Sequence, residues 1–184
     1  MIQKILQQQI DKPSDINQHL PTLKKYADEC EHITEMGVRW ISSSFAFLAA
    51  NPKTLISIDL QHPTQCGSKG KTNWKTLNEC VEQSTTDYTF IQANTHEIEI
   101  EETDLLFIDT GHHLDCIEKE LELHGNKARK YLVFHDTETF RWKGDIPNSI
   151  GIWPAIEDFM INNEHWALKE HFTNNNGLTI LERV

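Results

Sequence analysis

Short apolar runs recur along the chain, and three of them stop at an acidic residue: Thr54–Asp59, residues 104–109 and residues 131–136. A fourth, residues 32–37, carries Glu35 and closes on Gly37. Runs of this length, bounded by polar residues and separated by helix-like stretches, read as buried strands of a parallel sheet. The expected strands are 33–36, 55–59, 88–92, 104–109 and 131–135. Two more, 166–172 and 178–181, flank the hairpin turn Asn174-Asn175-Asn176-Gly177. Helical spacing marks 14–29, 45–50, 74–83, 114–124 and 152–161, with a frayed helix over 2–9. Residues 61–71, with Pro63, Gly67 and Gly70, read as a loop. Strand and helix alternating ahead of a terminal hairpin predict an α/β fold whose parallel sheet has one antiparallel strand near its edge. In such sheets ligands bind outside the carboxyl ends of the strands, where strand order reverses. Glu35, Asp59, Asp109 and Asp136 are thereby expected on one rim.

Composition narrows the partners. A formal net charge of −11 over 184 residues argues against nucleic acid, which is held by clustered Lys and Arg. No stretch approaches the roughly 20 apolar residues that cross a bilayer. The Gln-rich start is no signal-peptide core. Cys30, Cys66, Cys80 and Cys116 are widely spaced without a CxxC pair, which reads as free thiols in a cytoplasmic protein. A small-molecule substrate is the partner this leaves.

The chemistry sits at the strand ends. Gly37 allows a ligand to approach the backbone, and Ser42-Ser43-Ser44 offer hydroxyl donors or cap the next helix. Asp59 has the acceptor geometry for the vicinal diol of a ribose. Asp109, His112, His113, His135 and Asp136 form a second group, in which a histidine could serve as general base. Asp109 and Asp136 could instead hold a hard divalent cation such as magnesium. The bland alternatives are that His112 caps a helix and that His135 is a hydrogen-bonded core residue. Residues 138–151 read as a lid over the site, with Trp142 placed to stack on substrate, while Trp153 and Trp166 read as core.

Taken together, Glu35-Met36-Gly37-Val38-Arg39 and segments 55–59, 104–113 and 130–137 resemble a class I S-adenosylmethionine-dependent methyltransferase. The match is to the small branch whose first loop reads ExGxRxGxST and whose later strands read (F/I)IDxxH and (I/L/F)HD. The resemblance implies a three-layer Rossmann-like methyltransferase fold with a mostly parallel seven-stranded sheet, residues 178–181 supplying the antiparallel strand. It implies a single methyltransferase-like domain over 1–184, with 1–30 as an N-terminal helical segment. S-adenosylmethionine would be bound by Glu35, Gly37 and Arg39 in the first loop, by Asp59 at the ribose, and by Asn94 and Thr95 at the adenine. Asp109, His112 and His135 would be catalytic, and Asp109 with Asp136 would hold any metal. Ile41 stands where the family has its second glycine, and its branched side chain is expected to crowd the cofactor. The implied activity is methyl transfer to oxygen or nitrogen of a small acceptor. Two rival readings stay open: a non-catalytic cofactor-binding module, and a metal-dependent hydrolase or hydroxylase built on the Asp/His group.

Overall fold

The computed structural model describes residues 1–184. Seven strands form one sheet: β1 (His32–Met36), β2 (Thr54–Asp59), β3 (Asp87–Gln92), β4 (Thr103–Ile108), β5 (Ala128–His135), β6 (Trp166–Phe172) and β7 (Leu178–Arg183). Their order is β3-β2-β1-β4-β5-β7-β6. Strands β1 to β5 run parallel, and β7 runs antiparallel to both its neighbours. This is the arrangement the resemblance implies. The chain winds outward from β1 to β3, then returns to lay β4 beside β1, so the strand order reverses at their carboxyl ends. Every residue of β4 is buried, as a central parallel strand requires, whereas β3 at the edge is mostly exposed.

Six helices cover the sheet: α1 (Ile2–Asp11), α2 (Leu20–Ala27), α3 (Ser42–Ala49), α4 (Gly67–Val81), α5 (Leu114–His124) and α6 (Trp153–Asn162). Alternation along the strands divides the core in two. Ile33, Leu55, Leu105, Phe107 and Val133 pack under α1 to α4, where Tyr26, Phe45 and Phe47 are fully buried. Met36, Ile58, Leu106, Ile108 and Phe134 pack under α5 and α6, against Ile117, Ile156 and Phe159. Trp153 and Trp166 are buried as expected.

Two sequence expectations change. The segment 61–71 is not one loop: a 3-10 turn at Pro63–Gln65 leads into α4, which starts at Gly67 and takes Gly70 into its first turns. Gly70 is tolerated there because a Cβ would meet the Pro63 carbonyl oxygen at 2.1 Å, so only glycine lets the turn and helix touch. The expected helix 14–29 breaks into a 3-10 turn at Asn17–His19 followed by α2, with Pro21 in the first turn of α2. All four cysteines are free, and no helix is long and apolar enough to cross a membrane.

Candidate active site

The site lies where β1 and β4 diverge. The Asp109 N–H donates to the Met36 carbonyl at 2.8 Å, tying the two strand ends together. Gly37 has φ +84°, and a Cβ there would fall 1.8 Å from the Asp109 carbonyl oxygen. The two backbones can approach this closely only through glycine.

From Gly37 the chain makes a tight loop that is hung on Asp59. One oxygen of Asp59 accepts from the Val38 and Arg39 N–H groups at 2.8 and 2.9 Å, and the other accepts from Gln61 N–H at 2.9 Å. A carboxylate has about four lone-pair sites, so these three bonds leave Asp59 room for one ligand hydroxyl. These loop bonds occupy most of the acceptor capacity that a bidentate grip on a diol would use.

Ile41 closes the loop in the left-handed region, with φ 68° and ψ 21°. This is the backbone conformation that a glycine would adopt freely. Its side chain is fully buried in the core beneath α3 and lines neither cavity at the site, so it does not crowd a ligand. The second glycine is absent in identity, and Ile41 takes a backbone conformation open to glycine.

Glu35 also departs from expectation. It faces away from the rim and is fully buried under α3. Ser43 donates to it at 2.9 Å, and Ser44 and Ser57 donate to its other oxygen. Burial raises its pKa to about 7, against the pull of the serine hydroxyls. Glu35 therefore braces the loop from below and cannot line a cofactor cleft. The serines serve it in place of capping α3, whose N-cap is Ile41.

Two connected cavities open on the rim. A cleft of about 540 Å³ runs past Gly37, Arg39, Asp59, Asn94, Thr95 and Asp109. That volume lies within the usual range for small-molecule sites, about 300–1,000 Å³. A smaller pocket of about 170 Å³ is lined by Asp15, Trp40, Ser43, Asp109, His112 and Asp136 among others. Gly37, Arg39, Asp109 and Thr110 belong to both, so the cavities meet at the strand-order reversal.

The smaller pocket holds a charge-matched cluster. His112 Nε2 lies 2.8 Å from Asp136 and 3.4 Å from Asp109. His135 Nδ1 lies 3.4 Å from the same Asp109 oxygen and 3.7 Å from Asp136. Burial alone would strip the proton from His112, yet hydrogen bonds to Asp109 and Asp136 prevail and push its pKa up to about 10. For His135 burial is likewise outweighed, chiefly by the Asp109 charge, and its pKa rises to about 9. Asp109 is held well below the ordinary carboxylate range against its burial, first by the His135 charge and then by the His112 hydrogen bond. Both imidazoles are thus cationic at neutral pH, which corrects the expectation of a free histidine base. His135 is also buried behind the pocket wall, its Nε2 3.2 Å from the Asp15 carbonyl oxygen.

Asp136 carries an orphaned oxygen at this cluster. Its backbone has φ 61°, a strained conformation for a non-glycine residue, and its Oδ1 is buried with no hydrogen-bond partner. Asp109, His112 and Asp136 offer ligand atoms all within 4.8 Å of one another. Two hard carboxylate donors and one unpaired oxygen fit a divalent cation.

Several contributors carried no readable sequence signal. Phe140 stacks on the His112 ring at 4.6 Å and 13°. Asp145 accepts from the His112 N–H at 3.1 Å and lies 3.1 Å from His113 Nδ1. The 138–151 segment thus clamps the site through Phe140 and Asp145. Trp142, expected to face substrate, is 61% exposed and lines neither cavity. Glu120 is buried in the wall of the cleft, accepting from the Thr95 and Thr110 hydroxyls at 2.6 Å each. Its place was legible in part, since it interrupts the apolar stripe of Ile117 and Leu121 on α5.

No protein-family model matches the chain, and no curated protein matches it in sequence. Solved structures do. An O-methyltransferase from Bacillus cereus, in complex with SAH, aligns over 100% of this chain and 90% of its own at TM-score 0.62 and 11% identity. The O-methyltransferase TomG from Streptomyces achromogenes, in complex with SAM, aligns over 89% and 80% at TM-score 0.58 and 14% identity. An SAH-bound methyltransferase from Podospora anserina aligns over 91% and 77% at TM-score 0.61 and 11% identity. The chain has the Rossmann-like fold of the class I S-adenosylmethionine-dependent methyltransferases.

Proposed function

We propose that the protein transfers a methyl group from S-adenosylmethionine to an oxygen or nitrogen of a small molecule. The observation that carries this reading is the junction of the two cavities at Gly37 and Asp109, with the Asp/His cluster on the acceptor side. A nucleoside donor fits the longer cleft: Asp59 would accept from one ribose hydroxyl, Asn94 would face the adenine, and the Gly37 turn would admit the reacting end. Thr95 would contribute only to the wall at the adenine end, since its hydroxyl is committed to Glu120. S-adenosylmethionine supplies an electrophilic methyl on a sulfonium. The chain would align the acceptor in the pocket, with its hydroxyl or amine hydrogen-bonded to the unpaired Asp136 oxygen, and exclude bulk water through the 138–151 segment; the acceptor proton would leave to solvent as the product departs, because both imidazoles already carry one. A divalent cation held by Asp109 and Asp136 would add the positive charge that orients an acceptor oxygen.

Binding is the first test. Calorimetric titration with S-adenosylmethionine and S-adenosylhomocysteine, with and without magnesium, should give saturable binding. Asp59→Ala should weaken it by about 1.5 kcal/mol, or about tenfold, one hydrogen bond to a charged group. The melting temperature of the unliganded variant should be read alongside, because Asp59 also holds the loop. Failure of both nucleosides to bind at millimolar concentration would end the methyltransferase reading and favour metal-dependent chemistry at the Asp/His cluster.

A further inference from the structure

On the wall of the cleft beside Thr110, three side chains of different chemistry converge. Cys116 on the first turn of α5, Glu120 one turn later, and His96 after β3 offer ligand atoms all within 4.8 Å of one another. All three line the cleft. We propose that His96, Cys116 and Glu120 form a binding site for a zinc-type cation, with a coordination position open to the cleft.

Three observations carry it. The Cys116 Sγ to His96 Nε2 separation is 3.5 Å. Zinc–sulfur and zinc–nitrogen bonds of about 2.3 and 2.0–2.1 Å, meeting at a tetrahedral angle, set those atoms about 3.5 Å apart. The pair already spans one edge of the tetrahedron. Next, Glu120 is a fully buried acid that makes no salt bridge; burial raises its pKa, and a bound cation would compensate the charge of its carboxylate form. Finally, Thr95 and Thr110 donate to opposite oxygens of Glu120 at 2.6 Å each, the outer hydrogen bonding that orients a carboxylate ligand. Sulfur, imidazole and carboxylate together select zinc or a similar borderline ion over magnesium. The ligand set is thus chemically separate from the hard site at Asp109 and Asp136.

The inference stands apart from the methyl-donor reading, because the metal is tested alone. Cobalt(II), an optical stand-in for zinc, is titrated into the chelator-treated protein. One equivalent should bind with a sulfur-to-cobalt charge-transfer absorption, and zinc should displace it. An ion at Asp109, His112 and Asp136 would give no such band. Cys116→Ser should abolish the band, with circular dichroism checking that the variant is folded. Glu120→Gln should keep the band while zinc affinity falls by at least about tenfold. A folded protein without the band, or a band that survives Cys116→Ser, overturns the proposal and leaves a thiol–imidazole hydrogen bond in its place.

Discussion

Ile41 offers a test whose sign can be worked out in advance. A β-branched residue held at φ 68° bears a left-handed backbone cost of about 1–2 kcal/mol that glycine escapes. The side chain is fully buried, and truncating such an isoleucine to alanine costs about 2–5 kcal/mol. In a helix or strand, glycine is about 0.5–1 kcal/mol less stable than alanine. At position 41 the backbone relief opposes that penalty and is about equal or larger, so Ile41→Gly should match or exceed Ile41→Ala by up to about 1.5 kcal/mol. Both variants should remain less stable than the parent, since lost burial exceeds relieved strain. Urea unfolding of the three proteins, compared at unchanged m value, reads this order directly. An alanine variant more stable than the glycine variant by the ordinary margin would refute a left-handed Ile41. Nucleoside affinity should be the same in parent and Ile41→Gly, because the side chain lines neither cavity.

The imidazolium–carboxylate cluster predicts a pH signature in the metal-free protein. His112 and His135 have folded-state pKa values raised from 6.5 to about 10 and about 9, so the stability they contribute is full below pH 6.5 and is lost as pH rises through 9 to 10. Asp109, lowered from 3.8, contributes stability above that value that is lost as pH falls below it. Asp136→Asn should flatten the decline in melting temperature between pH 6.5 and 10; equal slopes in parent and variant would show the cluster is not so charged. Gly37→Ala and Gly67→Ala form a second pair. Both glycines have positive φ, but an added Cβ meets the Asp109 carbonyl oxygen at 1.8 Å at position 37 and nothing within 4 Å at position 67. Gly67→Ala should cost about 1–2 kcal/mol and Gly37→Ala more than about 4 kcal/mol by urea unfolding, and similar losses would disprove the close approach at Gly37.

The sequence by itself determined the strands, their parallel order of use and the rim on which Asp59, Asp109 and Asp136 gather. These follow from local rules: an apolar run with an acid at its end keeps its period and its direction whatever surrounds it. What neighbours a side chain was decided only by tertiary structure. Glu35 lies one register step from a rim position, yet strand alternation turns it into the core, where three serines hold it. His112 and His135 read as bases in isolation, and their protonated forms are favoured because folding brings Asp136 to His112 and Asp109 to His135 across neighbouring strand ends. Ile41 reads as an obstruction, and the fold instead spends its side chain on the core while retaining a glycine-like turn. Phe140, Asp145 and Asp15 reach the site through contacts between segments distant in the chain, which no spacing along the sequence encodes. Charge state and contact are properties of the assembled rim, since burial and opposing charge act through space.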